Sequence, residues 1–356
     1  MGRRRVLRDV LPVFFVASLL LCSACASKWS MKTEPEEAQI QWPQSPAPPK
    51  VRHVVSLNGF KETGASFGSI VRSIIFGGTE DQDITRPVAV SVGSDGRMAV
   101  ADIGSKCVHL FVPKEQQYFK VFKADSLELS SPVGVAFDDG LRLYVSDSAL
   151  NRIFVYDGGG TYLFSMNLTG SPALERSTGL AFDRGRKILY AANTLGNRIY
   201  GLTEKGDIVF SFGGRGIGDG QFNYPTHIFF SASGLLYVTD TMNFRVQIFD
   251  STGKFVSAFG RHGDGSGDFA MPKGVASDKE GAIYVVDSLF DNIQLFNMDG
   301  QFLLTLGARG TGQGEFWLPS GIFIDAGDKL YVCDTYNGRV QVFQIFPRQK
   351  ESEKGD

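Results

Sequence analysis

Residues 234–249 read GLLYVTDTMNFRVQIF, and five relatives of this stretch recur in the chain: GRMAVADIGSKCVHLF (96–111), LRLYVSDSALNRIFVY (141–156), KILYAANTLGNRIYGL (187–202), GAIYVVDSLFDNIQLF (281–296) and DKLYVCDTYNGRVQVF (328–343). Their anchor residues, Asp102, Asp147, Asn193, Asp240, Asp287 and Asp334, are spaced by 45, 46, 47, 47 and 47 residues. A period of this length suits stacked structural repeats. The local pattern is two short β-rich runs around an Asp/Ser/Thr/Asn turn, which is strand chemistry rather than helix chemistry.

A four-stranded blade can be read around each copy. In the fourth, PTHIFFSASG supplies an inner strand, LLYVTD a second, RVQIF a third and KFVSAFG an outer one. Short Gly-containing turns suit hairpins, whereas the outer-to-inner crossings are long and Gly-rich. One blade cannot bury both its faces, but six arranged around an axis can. The expected fold is all-β, a six-bladed β-propeller with four antiparallel strands per blade. After three strands of blade six only a charged tail remains, so its outer strand must precede blade one. Val51 to Gly59 is favoured over Ile70 to Gly78.

The elements P-x-G-[IV], LYV-x-D-[ST], N-x-RVQVF and FG-x-x-G-x-G-x-G-x-F-x-x-P resemble the NHL repeat, over Val51 to about Phe346. Blades four to six match closely, with Pro225, Pro272 and Pro319 opening the inner strands. Blades one and three depart, with Ala99 and Ala191 in the Tyr-Val pair, Asn193 for Asp, and Ser177-Thr178 without the proline. The resemblance implies a binding or scaffolding module. Some similar six-bladed propellers, such as peptidyl-hydroxyglycine lyases and gluconolactonases, use a metal near the axis, so a metal-dependent lyase or lactonase is the alternative.

Four arginines precede thirteen mostly apolar residues, Val10 to Cys22, which is the layout of a secretory signal over residues 1–24 and too short for a bilayer-spanning helix. LLLCSAC resembles a bacterial lipobox that would acylate Cys25, with Cys22 where an aliphatic residue is preferred. Plain cleavage after Ala24 and an uncleaved anchor are the competing readings. GRRRVLR loosely resembles a twin-arginine signal, leaving the route open. The expected location is the bacterial cell envelope, lipid-anchored, at the outer membrane if the source is Gram-negative. Residues 25–50, with five prolines after Ala26, read as a tether that supplies no core, so a chain lacking 26–50 should keep a stable domain. Residues 51–346 form the propeller and 347–356 a charged tail.

Apolar residues make up 43% and charged residues 21% of the 356, with net charge −2, which does not favour nucleic acid as a partner. The recurring aspartates read as turn caps. The Gly-rich crossings lack the Gly-Lys-Ser/Thr ending and open no helix, so they are not nucleotide loops. Arg215, His262 and Arg309 hold matching places in three crossings, on the face that also carries Leu195, Met242, Phe244, Leu289, Phe290 and Tyr336. Arginine beside aromatic and Met side chains suits a hot spot for an envelope protein, peptide or glycan. Alternation places Ala89, Gly134, Gly179, His227, Gly274 and Gly321 in one row on the axis, and Ser91, Ala136, Ala181, Phe229, Ala276 and Phe323 in the next. His227 is therefore a candidate ligand contact, against the commoner role of a structural histidine. His53, His109, His227 and His262 fall in different strands and a loop, so no metal site is expected, and no cofactor motif is present. Cys107 and Cys333 lie in neighbouring blades. Cys333 reads as a small packed residue, which argues against a disulfide.

Overall fold

A computed structural model of the chain describes residues 27–35, 39–63, 82–166 and 174–347. Each repeat forms an antiparallel sheet in chain order. In blade four, Pro225–Phe230 pairs with Leu235–Asp240, then Arg245–Asp250, then Phe255–Phe259. The inner strands of the other blades are Pro87–Val92, Pro132–Phe137, Ser177–Asp183, Pro272–Ser277 and Ile322–Ile324. Blade six completes itself with Val51–Glu62, which pairs with Arg339–Ile345 from Ile345↔Val51 to Val340↔Leu57. The fold is a six-bladed β-propeller closed by its N-terminal strand, the first of the two segments weighed above. Ile70 to Gly78, residues 1–26 with Cys25, and the tail from 348 lie outside the described residues.

Alternation along the second and third strands sends side chains to both faces of a blade, and each face packs on a neighbour. Six apolar clusters result, one at each blade interface. Four of the five tyrosines of the LYV motif, Tyr144, Tyr190, Tyr237 and Tyr284, are wholly buried there, and Tyr331 is partly so. Burying one such side chain contributes about 2–3 kcal/mol, which favours hydroxyl-tipped aromatics where the tip can reach a partner. Tyr144 and Tyr284 meet this by donating to Asp138 and Asp278 in the inner hairpin. Cys107 and Cys333 are free, buried thiols; Cys333 fills the seam between blades six and one.

The hydroxyl after four of the six anchors ties blade to blade. Thr194, Thr241, Ser288 and Thr335 donate to the carbonyls of Pro225, Pro272, Pro319 and Pro87, which open the next inner strand or, in blade six, stand just before it. Glycines of the inner strands serve the same seams. A Cβ on Gly179 would stand 2.8 Å from the Thr226 oxygen, and one on Gly274 2.6 Å from the Ser320 oxygen. This row is thus set by close strand approach as much as by the axis.

The expectation of an unpacked tether over 25–50 is corrected. Trp29–Thr33 adds a strand to the outer edge of Val51–Glu62, and Gln41–Trp42 pairs with its start. Trp29 lies 4.9 Å from Tyr118 of blade one, Trp42 meets Phe343 at 5.8 Å, and Glu34 pairs with Arg339 at 3.0 Å. The physical reason is the open edge: unpaired backbone groups on the last strand of the ring recruit any chain that can pair and bring apolar area. The segment is a strap across the closure seam.

Candidate functional site

Strand polarity puts the Gly-rich crossings and the turns after the anchors on one face, called here the loop face. In blade four, Asp240 is fully buried at the junction. Its carboxylate accepts from the Asn223 amide at 2.6 Å, Asn243 Nδ2 at 2.8 Å, Arg245 Nε at 2.9 Å and Gln247 Nε2 at 3.1 Å. Asp334 repeats this set with Trp317, Asn337, Arg339 and Gln341. The turn-cap reading holds for Asp102, Asp147, Asn193 and Asp287, which accept from amides of their own turns, but not for Asp240 and Asp334, which hold the turn through the Asn, Arg and Gln side chains instead; every anchor also grips the crossing that enters its own blade. Burial pushes the Asp334 carboxyl above the usual range despite these donors. Burial acts likewise on Asp102, but His109 and the Thr85, Arg86 and Ser105 amides outweigh it and hold that carboxyl well below.

The crossings are rigid for two further reasons. Gln247, Gln294 and Gln341 each accept from a loop glycine amide and donate to the next carbonyl. Phe222, Phe269 and Phe316 are completely buried plugs. Glycine at 213 has φ +102°, and a Cβ there would stand 2.6 Å from the Phe222 ring. The glycines therefore serve packing, not phosphate.

Arg215, His262 and Arg309 occupy equivalent exposed positions, each bridged to its plug phenylalanine. His262 sits edge-on to Phe244 at 4.5 Å. Met242 and Tyr336 are about half exposed, at 53% and 50%, whereas Phe290 is half-buried rather than a free loop side chain. His227 is apart from these. It lies inside the channel, where its ring approaches the Ile322 backbone of blade six, and burial followed by the Lys273 ammonium lowers it to about 4. It is therefore neutral at pH 7.

Several loop-face residues escape the sequence reading. Trp317 lies 5.8 Å from Tyr336, and the Arg86 guanidinium covers the Tyr336 ring at 5.5 Å, forming a ledge across blades six and one. Ile217 is 81% exposed, and Tyr224 also faces solvent. Their signal in sequence is slight, because apolar loop residues are common on any surface.

The opposite face opens into an axial cavity of ≈ 740 Å³ walled by Phe182, Phe229, Phe230 and Phe323. Its rim charges are mostly satisfied: Arg184 pairs with Asp139, Lys279 with Asp328, and Asp278 and Asp325 take hydroxyls from Tyr284 and Tyr331. Asp183 differs, since Tyr190 donates to the Ser251 carbonyl instead and leaves Asp183 Oδ2 without a partner. Among the described residues no three His, Cys, Asp or Glu side chains converge as metal ligands, so the metal that the lyase or lactonase alternative requires finds no fitting donor set there.

A protein-family model described as a 6-bladed beta-propeller matches residues 222–289 and 277–349. Among solved structures, virginiamycin B lyase from Staphylococcus aureus is 15% identical with TM-score 0.52, covering 74% of this chain and 96% of the lyase. A structural-genomics protein of unknown function from Bacteroides thetaiotaomicron is 16% identical with TM-score 0.57, covering 75% of this chain and 71% of its own. A chain of the nidogen/laminin complex is 18% identical with TM-score 0.51, covering 70% and 89%. These likenesses concern the fold. No curated protein matches.

Proposed function

We propose that the chain is an exported, lipid-anchored binding module of the bacterial cell envelope, an NHL-type propeller that holds a protein, peptide or glycan partner on its loop face. The carrying observation is the concentration of exposed apolar and basic side chains on that face. Eight of the fourteen exposed large apolar residues among those described, including Ile217, Met242, Trp317 and Tyr336, stand there beside Arg86, Arg215, His262 and Arg309. Apolar patches rimmed by charge on loops held by buried hydrogen bonds suit recognition at low ordering cost. The lyase likeness at 15% identity carries no chemistry with it, and the described residues offer no convergent metal ligands.

Residues LLLCSAC support the anchor at Cys25. The docked strap changes its reach: Cys25 is four residues from Trp29, a span of at most ~14 Å. Acylation there would hold the rim of blades six and one close to the bilayer. Cys25→Ser should release the protein from membranes or leave unprocessed precursor; unchanged association and processing would remove the anchor from this reading. Arg309→Ala and Tyr336→Ala should shift stability by less than about 0.5 kcal/mol and weaken capture of the crosslinked envelope partner by about 1 kcal/mol or more each. Capture unaltered in both variants would reject the loop face.

A further inference from the structure

The axial cavity on the face opposite the loops has two unlike walls. Blades four and six bring Phe229 and Phe323 to it, and their rings meet edge to face at 6.1 Å. Ala276, the equivalent residue of blade five between them, is wholly buried and shares a cluster with Phe229. The facing wall comes from blades one to three, where Ala89 and Ser91, Gly134 and Ala136, and Gly179 and Ala181 carry little or no side chain. In a ring of six, blade five stands opposite blade two, so the space left is a slot between aromatic rings and a smooth wall. Its volume of ≈ 740 Å³ falls within the roughly 300–1,000 Å³ of small-molecule sites. Phe182 stacks on Tyr144 at 6.1 Å and Phe230 on Tyr190 at 5.4 Å, so the rings nearer the mouth are fixed before anything enters.

Donors and acceptors at the mouth do not balance. Each lining cation is engaged, Arg184 by Asp139, Arg186 by the Ser251 carbonyl, and Lys279 by Asp328 and the Ala326 carbonyl. Two lining carboxylate oxygens are buried with no partner among the described residues, Oδ2 of Asp183 in blade three and Oδ1 of Asp328 in blade six, on opposite sides of the ring. Asp183 is only 3% exposed. A buried carboxylate oxygen without a donor is unfavourable, and a ligand N–H brought to it through the cavity would relieve that with a charge-assisted hydrogen bond.

We propose that the axial cavity is a binding site for a planar aromatic amine, with its ring system in the slot and its ammonium at the mouth against Asp183. The site is separate from the loop face and stands or falls without it. Contact with the Phe229 and Phe323 rings holds the flat body, and the carboxylate selects an amine over an acid of the same shape.

Titration calorimetry of the purified protein with three probes of one shape tests this: a naphthylmethylamine, the corresponding naphthalenemethanol and the corresponding naphthoate. The amine should bind at least ~10-fold more tightly than the naphthoate, with the alcohol between them. Asp183→Asn keeps the Oδ1 that accepts from the Arg186 amide, and it should weaken the amine about tenfold while leaving the alcohol unchanged. Ala136→Phe puts into the slot the side chain that blades four and six already carry at that place, and should weaken amine and alcohol at least ~10-fold each. If Ala136→Phe does not fold, Ala181→Phe makes the same comparison from blade three, and the contrast of amine with naphthoate in the unaltered protein stands whichever variants fold. Naphthoate binding as tightly as the amine, no binding of the amine at about 1 mM, or full amine affinity in folded Asp183→Asn or Ala136→Phe would overturn the site.

Discussion

Histidine at position 227 stands where four other blades have glycine, and its environment makes a pH-dependent contribution that the scaffold does not need. Burial and the Lys273 ammonium lower it to about 4; His53, buried beside Arg339, is also lowered to about 4, with Glu34 opposing. Unfolded, both return to the ordinary value near 6.5, so between these limits the unfolded chain binds more protons. Stability should therefore fall as pH drops below about 6.5 and level off near 4, with a slope of up to about 1.4 kcal/mol per pH unit for each histidine. His227→Ala, which matches Ala89 of blade one, should keep the fold and flatten this slope by as much as about 1 kcal/mol per unit, less where solvent screens the ring. Melting curves from pH 7 to 4.5 check this, and identical slopes in variant and wild type would refute it. The special place of His227 was legible by aligning inner strands. Lys273, one position off that row, was not, because the row chosen by simple alternation ignores the extra residue between Pro272 and Val275 that shifts the register.

At the scale of elements, strands and turns were readable because the same residues recur for the same local reasons. The anchor Asp, the hydroxyl after it and the Gln of the third strand each make one hydrogen-bonding motif in several blades. The strap was not readable. It occurs once, its prolines and glutamates suggest a solvated spacer, and its strand chemistry is confined to Trp29, Met31, Ile40 and Trp42. Its packing depends on an edge that exists only after the ring closes. Trp42 packs over Phe343, and a Cβ at Gly314 would meet its ring at 2.7 Å, so the indole fills a fitted space. Trp42→Ala should cost about 1–3 kcal/mol, below the value for a wholly buried tryptophan because the ring is only partly enclosed. Denaturant melts measure this. A cost under about 0.5 kcal/mol would return the segment to the status of a loose tether.

Considered as a whole molecule, the ring joins chain ends that are almost 300 residues apart, and its stability should reflect that closure rather than the sum of six blades. Val51–Glu62 supplies Val51 to the seam between blades five and six, and Leu57 and Phe60 to the seam between six and one. The strap then covers its outer edge. A fragment spanning residues 82–347 retains five complete blades but exposes Arg339–Ile345 as an unpaired edge, with both flanking clusters incomplete. Such an edge invites pairing with another copy, so the fragment should self-associate and melt broadly. A synthetic peptide of residues 27–63 restores the missing strand and strap, the same β-addition by which other sheets take up extended segments. Added at about micromolar concentration, it should return the fragment to a monomer with one cooperative transition, because binding only the closed form stabilises it by mass action. The peptide carrying Trp29→Ala and Trp42→Ala should bind at least about tenfold more weakly, since the strap's two large aromatic contacts are gone. Sedimentation and calorimetry with and without peptide decide the matter. A fragment that is already monomeric and melts as sharply as the intact chain would show that closure contributes little and that the blades fold independently.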